Sequence, residues 1–338
     1  MTRIWRNLLI AACLLSFLLL LGTFNATKPR ILVVHSAAQD SPWAIEMDRG
    51  MRDALKGNRR PVSVEWMYLD AVSPFGAQHI EQSTAAAQRA IARSKPDILI
   101  AVDDEANTLV AHDYVGRDSP RVLYVSLDWP PAKYGYSGAP NVSGLSEELP
   151  WHAVRDAVTD LFPGRMPSLA VIGVNNSTGQ AEMNQVRDFD WGPVRLTDTA
   201  LVSAAPEWRG FVETAAGADV LLVLSTRDLP ETDGSVFSAA DVNRWTQVHA
   251  KPLPIGSQVD FVIDGGALSF APDPGYEGER AIRLALDWLD DRTTPGPPQP
   301  ATSSHFEVAI RQGPLAQRGI MLAPIYLEAA RKNGTLFD

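Results

Sequence analysis

The run Ile98-Leu99-Ile100-Ala101-Val102 constrains the fold more than any other stretch of the chain. It is short, unbroken and apolar, bounded by Pro96 and Asp97 before it and by Asp103-Asp104-Glu105 after it. A run of this length without polar alternation reads as a strand buried on both faces, which occurs in parallel sheets covered by helices on either side. Asp103 or Asp104 is placed to cap a following helix, because a carboxylate there accepts unpaired N–H groups of the first turn. The same placement puts polar groups at the carboxyl end of a parallel strand, where open α/β sheets bind ligands. Helix start and ligand site are both open readings of these acids.

Around this run, strands and helices alternate. Ile31–His35 reads as a first strand, and Ser41-Pro42-Trp43 opens a helix with Ser at the cap and Pro in the first turn. Val62–Tyr68 is a second strand, Gln78–Arg93 an alanine-rich helix, and a helix from about Glu105 leads to a strand at Val122–Leu127. The rhythm predicts right-handed βαβ units. Pro130-Pro131, Gly135, Gly138 and Pro140 interrupt it between Asp128 and Pro150, the passage out of a first lobe. The alternation then restarts, with strands at Leu169–Val174, Val194–Leu201, Asp219–Leu224 and Leu253–Gly256. A late helix, Tyr276–Asp291, is followed by a proline-rich link, Pro295–Pro300, and by a strand at Phe306–Ile310.

The expected class is therefore α/β, with two Rossmann-like lobes built on parallel sheets and joined by a multi-strand hinge. The expected division is 30–143 plus 266–298 for lobe 1 and 144–265 plus 304–338 for lobe 2. Residues 1–26 stand apart. Arg3 and Arg6 precede the apolar run Leu8–Leu21, and small residues follow, the order of a secretory signal. The run is short for a membrane span, which needs roughly 20 apolar residues. Phe24 occupies a position where a small residue is expected before cleavage after Ala26, so an uncleaved membrane tether stands beside export.

Cys13, the single cysteine, lies in this leader, so disulfides and thiolate chemistry have no place in the remainder. The formal net charge is −10, and the leader carries only positive charges, which leaves the rest more acidic still. Such a surface disfavours nucleic acid and anionic membranes.

His35-Ser36 with Pro42-Trp43, Asp103-Asp104-Glu105-Ala106, and Asn141-Val142-Ser143-Gly144-Leu145-Ser146-Glu147 carry a resemblance, together with Leu253–Gly256 and Gly265–Ser269 followed by Gly275-Tyr276-Glu277-Gly278. Taken in order, these motifs resemble the extracytoplasmic substrate-binding proteins of ABC importers with the type I periplasmic-binding fold, in the branch of tryptophan- and tyrosine-type binders. The resemblance spans the chain after the leader. The acids at Asp103-Asp104-Glu105 depart from the glycine-rich turn common in those binders and look more like related sensor domains.

The resemblance implies a ligand held between lobes by loops at strand carboxyl ends. The first-lobe candidates are His35, Ser36, Trp43, Asp103, Asp104 and Asp128. Those of the second lobe are Asn175, Asn176, Ser177, Ser225, Thr226 and Gln258. An amino-acid-like ligand needs hydroxyls or helix-start N–H groups for its carboxylate and an acid for its ammonium. Ser36, Ser225 and Thr226 suit the first, and Asp103, Asp104 or Asp128 the second. Each has a structural alternative: Trp43 as packing, His35 as a hydrogen-bonded histidine, Asn175-Asn176 as a turn.

The expected role is periplasmic capture of a small polar or amino-acid-like solute by a monomer that delivers it to an ABC permease, without catalysis, cofactor or metal. The alternative is sensing through a membrane-bound partner. A metal-dependent hydrolase using Asp103, Asp104 and Asp128 is a third reading, but no further ligand or base is evident. The chain contains no Gly-x-Ser-x-Gly elbow, phosphate-binding loop or His-Glu-x-x-His motif, and His79, His112, His152, His249 and His305 are scattered.

Overall fold

The computed structural model describes residues 3–71, 76–290, 296–303 and 305–338. Met1 and Thr2 of the expected leader, residue 291 of the late helix, Pro295 of the proline-rich link and residue 304 lie outside that set. The chain divides into two compact units, 1–146 with 274–301 and 147–273 with 302–338, and passes between them three times.

Helix α1 (Arg3–Thr27) leaves Leu14, Phe17, Leu19 and Leu20 exposed. Among the described residues, no helix is long and apolar enough to cross a membrane. There follow β1 (Arg30–His35), α2 (Pro42–Lys56), β2 (Ser63–Tyr68), α3 (Gly76–Ser94), β3 (Ile98–Val102), α4 (Asp103–Leu109), β4 (Arg121–Leu127) and β5 (Val142–Ser146).

The second unit begins with α5 (Trp151–Leu161), β6 (Ser168–Val174), α6 (Ser177–Asp188), β7 (Arg195–Val202), α7 (Ala205–Thr214) and β8 (Val220–Val223). A short hairpin of β9 (Leu229–Pro230) and β10 (Val236–Phe237) precedes α8 (Ala239–His249), β11 (Leu253–Gly256), α9 (Asp260–Ile263) and β12 (Leu268–Pro272). The chain returns to the first unit for α10 (Pro274–Asp290) and reaches β13 (Ala301–Thr302) at the third crossing. It ends in the second unit with β14 (Phe306–Arg311), α11 (Gln312–Gln317), α12 (Pro324–Asn333) and β15 (Leu336–Phe337).

The first sheet has the order β2-β1-β3-β4-β5-β13. Its pairs from β2 to β5 are parallel, with Leu32 beside Leu99, Leu99 beside Val122 and Val122 beside Val142. Alternate residues feed two cores. Leu32, Val34, Leu99, Ala101 and Val122 fill one face, and Ile31, Val33, Ile98, Ile100 and Leu123 the other. The continuous apolar run of β3 follows from this, since both faces are covered. Each fully buried Ile or Leu contributes about 1.5–3 kcal/mol relative to exposure.

On the second of these faces α2 and α10 cross at glycines. A Cβ on Gly50 would meet the Gly275 carbonyl oxygen at 1.8 Å, and one on Gly278 would meet that of Met47 at 2.2 Å. No residue with a side chain fits either backbone contact without moving a helix.

The second sheet runs β7-β6-β8-β11-β12-β14-β15. It is parallel from β7 to β12, while β14 pairs antiparallel with β12, Phe270 lying beside Val308.

Three expectations change. Residues 266–273, expected in lobe 1, belong to the second unit, where Leu268 and Phe270 of β12 share a core with Ile255 and Ile310. Residues 144–146, expected in lobe 2, complete β5 on the first sheet, where Gly144 lies against Tyr124. That strand was hidden among glycines and prolines in the stretch read as a passage. Neither Asp103 nor Asp104 is the N-cap of α4. Val102 occupies that position, and Asp103 Oδ1 accepts the N–H of its neighbour Asp104 at 2.7 Å.

Candidate functional site

Each unit presents polar residues at the carboxyl ends of its parallel strands. In the first sheet the strand order reverses between β1 and β3, the position at which doubly wound sheets open a crevice. His35-Ser36 ends one of these strands and Asp103-Asp104 follows the other; Asp128 follows the adjacent β4.

Ser36 is fully buried. Its hydroxyl donates to the Val102 carbonyl at 2.9 Å and accepts the Ala106 N–H at 2.8 Å, so it satisfies a first-turn donor of α4 from another strand. His35, also buried, has Nε2 3.0 Å from Asp48 Oδ1 and stacks on Tyr68 with ring centres 5.0 Å apart. Asp48 further accepts from the Tyr68 hydroxyl and from Arg52. Burial alone would raise the Asp48 carboxyl, but hydrogen bonds from His35, Tyr68 and Arg52 outweigh it and hold the group below its ordinary value. Trp43, in the first turn of α2, is half-buried against the core that contains Met47.

The acids behave differently. Asp103 has φ 71°, a left-handed conformation uncommon outside glycine, and Asn107 Nδ2 holds its carbonyl at 2.8 Å and that of Ala101 at 3.1 Å. Asn107 is in turn fixed by the Tyr136 hydroxyl at 2.7 Å. Oxygens of Asp103, Asp104 and Asp128 all lie within 4.8 Å of one another. Asp104 is only 6% exposed and accepts the Asp128 N–H at 3.2 Å. Burial pushes its carboxyl up to about 6, assisted by the charge of Glu105 and opposed by the Tyr134 hydroxyl, the Asp128 N–H and Lys133. Lys133 itself lies 3.5 Å over the Trp129 ring. This corner suits a cationic group: an ammonium, or a divalent ion of the oxygen-liganded kind.

In the second sheet the order reverses between β6 and β8. Asn175-Asn176-Ser177 follows β6. Asn176 caps α6, its side chain accepting the Gly179 N–H at 2.8 Å, and Ser177 is the first residue of that helix. Asn175 bonds Ser203 and Gln180 through its amide. Ser225 and Thr226 follow β8, and Gln258 follows β11.

Glu182 of α6 gathers these ends. It is completely buried and accepts the Ser225 N–H at 2.7 Å, the Ser225 hydroxyl at 2.5 Å, the Ser257 hydroxyl at 3.4 Å and Gln258 Nε2 at 3.3 Å. Burial raises its carboxyl above the ordinary value, against the pull of these donors and of Arg227.

His35 and Ser36 thus lie beside Asp103 and Asp104 on neighbouring strand ends, and Ser225 and Gln258 share one buried carboxylate. Ser36, Asn176 and Ser225 hold the strand and helix ends through their own side chains. Sequence reasoning passed over Asp48, Asn107, Tyr134, Glu182 and Arg227. Glu182 carried a usable signal, being an acid on the helix stripe that also holds Gly179 and Val186.

No family model and no curated protein matches the chain. Solved structures do match. One is a domain from Streptococcus pneumonia described as the ABC domain in complex with L-Trp, at 15% identity and TM-score 0.64 over 90% of this chain and 98% of that one. Another is the ligand-free, open structure of a Clostridium difficile substrate-binding protein with adhesive properties, at 13% identity and TM-score 0.66 over 87% and 95%. A third is a periplasmic ribose ABC transporter protein from Conexibacter woesei, at 12% identity and TM-score 0.56 over 86% and 94%. With the two β2-β1-β3-type sheets and three crossings, these similarities show that the chain has the two-lobed, type I periplasmic-binding-protein fold.

Proposed function

We propose that the protein is an extracytoplasmic solute-binding protein, with loops at the carboxyl ends of parallel strands supplying the contacts to a small polar or amino-acid-like ligand that is passed to an ABC permease. The observation that carries this reading is the crowding of Asp103, Asp104 and Asp128 at the point where the first sheet reverses its strand order. Three carboxylates there favour an ammonium-bearing solute. His35, Ser36, Asn176 and Ser225 act as positioning residues in this scheme, and Trp43 as packing. Asp103, Asp104, Asp128, Asn175, Ser177, Thr226 and Gln258 are the contact candidates. Solved proteins that share the fold include one holding L-Trp and one described for ribose, so the fold itself leaves both ligand classes open.

A thermal-shift screen of the full chain against L-amino acids, small organic acids, D-ribose and divalent cations tests it. A solute at a hundred times its dissociation constant should add about 2.7 kcal/mol of stability. If cations alone stabilise the chain, the metal-dependent reading displaces this one.

A sensing role through a membrane-bound partner is favoured by one observation, the exposed apolar surface of α1, which suits a retained tether. Finding Met1 still attached to the exported protein would support it, and a mature terminus at Thr27 would count against it.

A further inference from the structure

Of the two hydroxyls expected to receive a ligand carboxylate in the second unit, that of Ser225 is engaged elsewhere. Ser225 gives both its N–H and its hydroxyl to Glu182, and Ser257 and Gln258 donate to the same group. The donors of these residues are spent on one buried carboxyl group.

Two residues beyond Ser225 stands Arg227. It is half-buried, and its Nη1 donates to the Thr226 carbonyl at 2.9 Å. Its charge reaches both Glu182 of α6 and Asp260, the first residue of α9. Arg227 stands in the loop that leaves the carboxyl end of β8. Among the described residues it makes no ion pair, and the Thr226 bond uses one of its five N–H donors.

Other half-buried arginines of this unit differ. Arg318 is taken by the carbonyls of Lys251, Pro252, Gln247 and Ala250, and Arg311 by those of Val262 and Ile263. Arg209 is paired with Glu231.

We propose that Arg227 receives the carboxylate of the bound solute, which makes the ligand an acid, an α-amino acid or small organic acid, and not a neutral sugar. This deepens the solute-binding reading and rests on it. The planar fork of a guanidinium matches a carboxylate through two parallel hydrogen bonds. A neutral sugar offers that fork hydroxyl and ring oxygens but no charge, so it forgoes the charge-assisted, bidentate part of the bond.

The test is calorimetric titration of the full chain and of Arg227→Gln and Arg227→Lys with L-amino acids, their α-carboxamides, short organic acids and D-ribose. The expected result is that an acid binds, and that its carboxamide, and the acid on Arg227→Gln, bind at least about thirtyfold more weakly. Arg227→Lys should keep part of the affinity, and the unfolding temperature of Arg227→Gln should stay at that of the parent. Equal binding of the carboxamide or of ribose, or unchanged affinity in Arg227→Gln, overturns the role of Arg227 and leaves the solute-binding reading intact. Absence of binding across the whole panel removes both.

Discussion

Asp104 is a carboxylate held where water scarcely reaches, beside two other acids, and its proton affinity records the strain of that arrangement. Because its folded-state value of about 6 lies above the ordinary 3.8, the native chain holds the proton more tightly than the unfolded one between those limits. Stability therefore falls as pH rises through that window and is level above it. Asp104→Asn keeps an oxygen for the Asp128 N–H and removes the charge. Denaturant titrations from pH 4 to 8 should show the variant without that slope and more stable than the parent at pH 7 by about 3 kcal/mol. The same variant should bind a cationic solute poorly, so stability and affinity move in opposite directions at this residue. How this corner is wired was not legible from the sequence. Ser36 reaches an N–H seventy residues away, and Glu182 reaches Ser225 across 43 residues; no local pattern announces either bond.

At the level of elements, the helix crossing on the first sheet is set by what is missing from Gly50 and Gly278. Gly278→Ala places a methyl group against the Met47 carbonyl, a backbone atom that cannot swing aside as a side-chain tip would. Overpacking of this kind should lower the stability of the first unit by about 3 kcal/mol, the upper end of such effects, visible as an earlier denaturant midpoint. Strands and helices with strong local signals were readable: β1, β3, β11 and the Ser-capped α2 follow from apolar runs and cap chemistry alone. The assignment of β12 was not. Its chain continues directly into α10, and only pairing with β11 and β14 shows that it belongs to the other sheet from the helix it precedes. β5 was missed because five residues rich in Ser and Gly make a strand only when Tyr124 and Val125 are already alongside.

For the whole molecule, α1 is a separate matter from the fold that follows it. Its exposed leucines contribute no core, so a chain beginning at Thr27 should melt at the same temperature as the full chain and stay soluble at higher concentration. A lower melting temperature in differential scanning calorimetry would show that α1 supports the first unit. The order in which the polypeptide is made has its own consequence. Ile31, Val33, Ile98 and Ile100 are sealed on one face by Ala281, Ile282 and Trp288 of α10, which leave the ribosome only after the entire opening stretch of the second unit. Throughout that interval a growing chain has β1 to β5 available, but α2, through Met47 and Met51, is all that covers this greasy face, and the seat of α10 stays bare. A protein built this way has a long window in which a chaperone or an export machine can hold it open before it becomes a folded object.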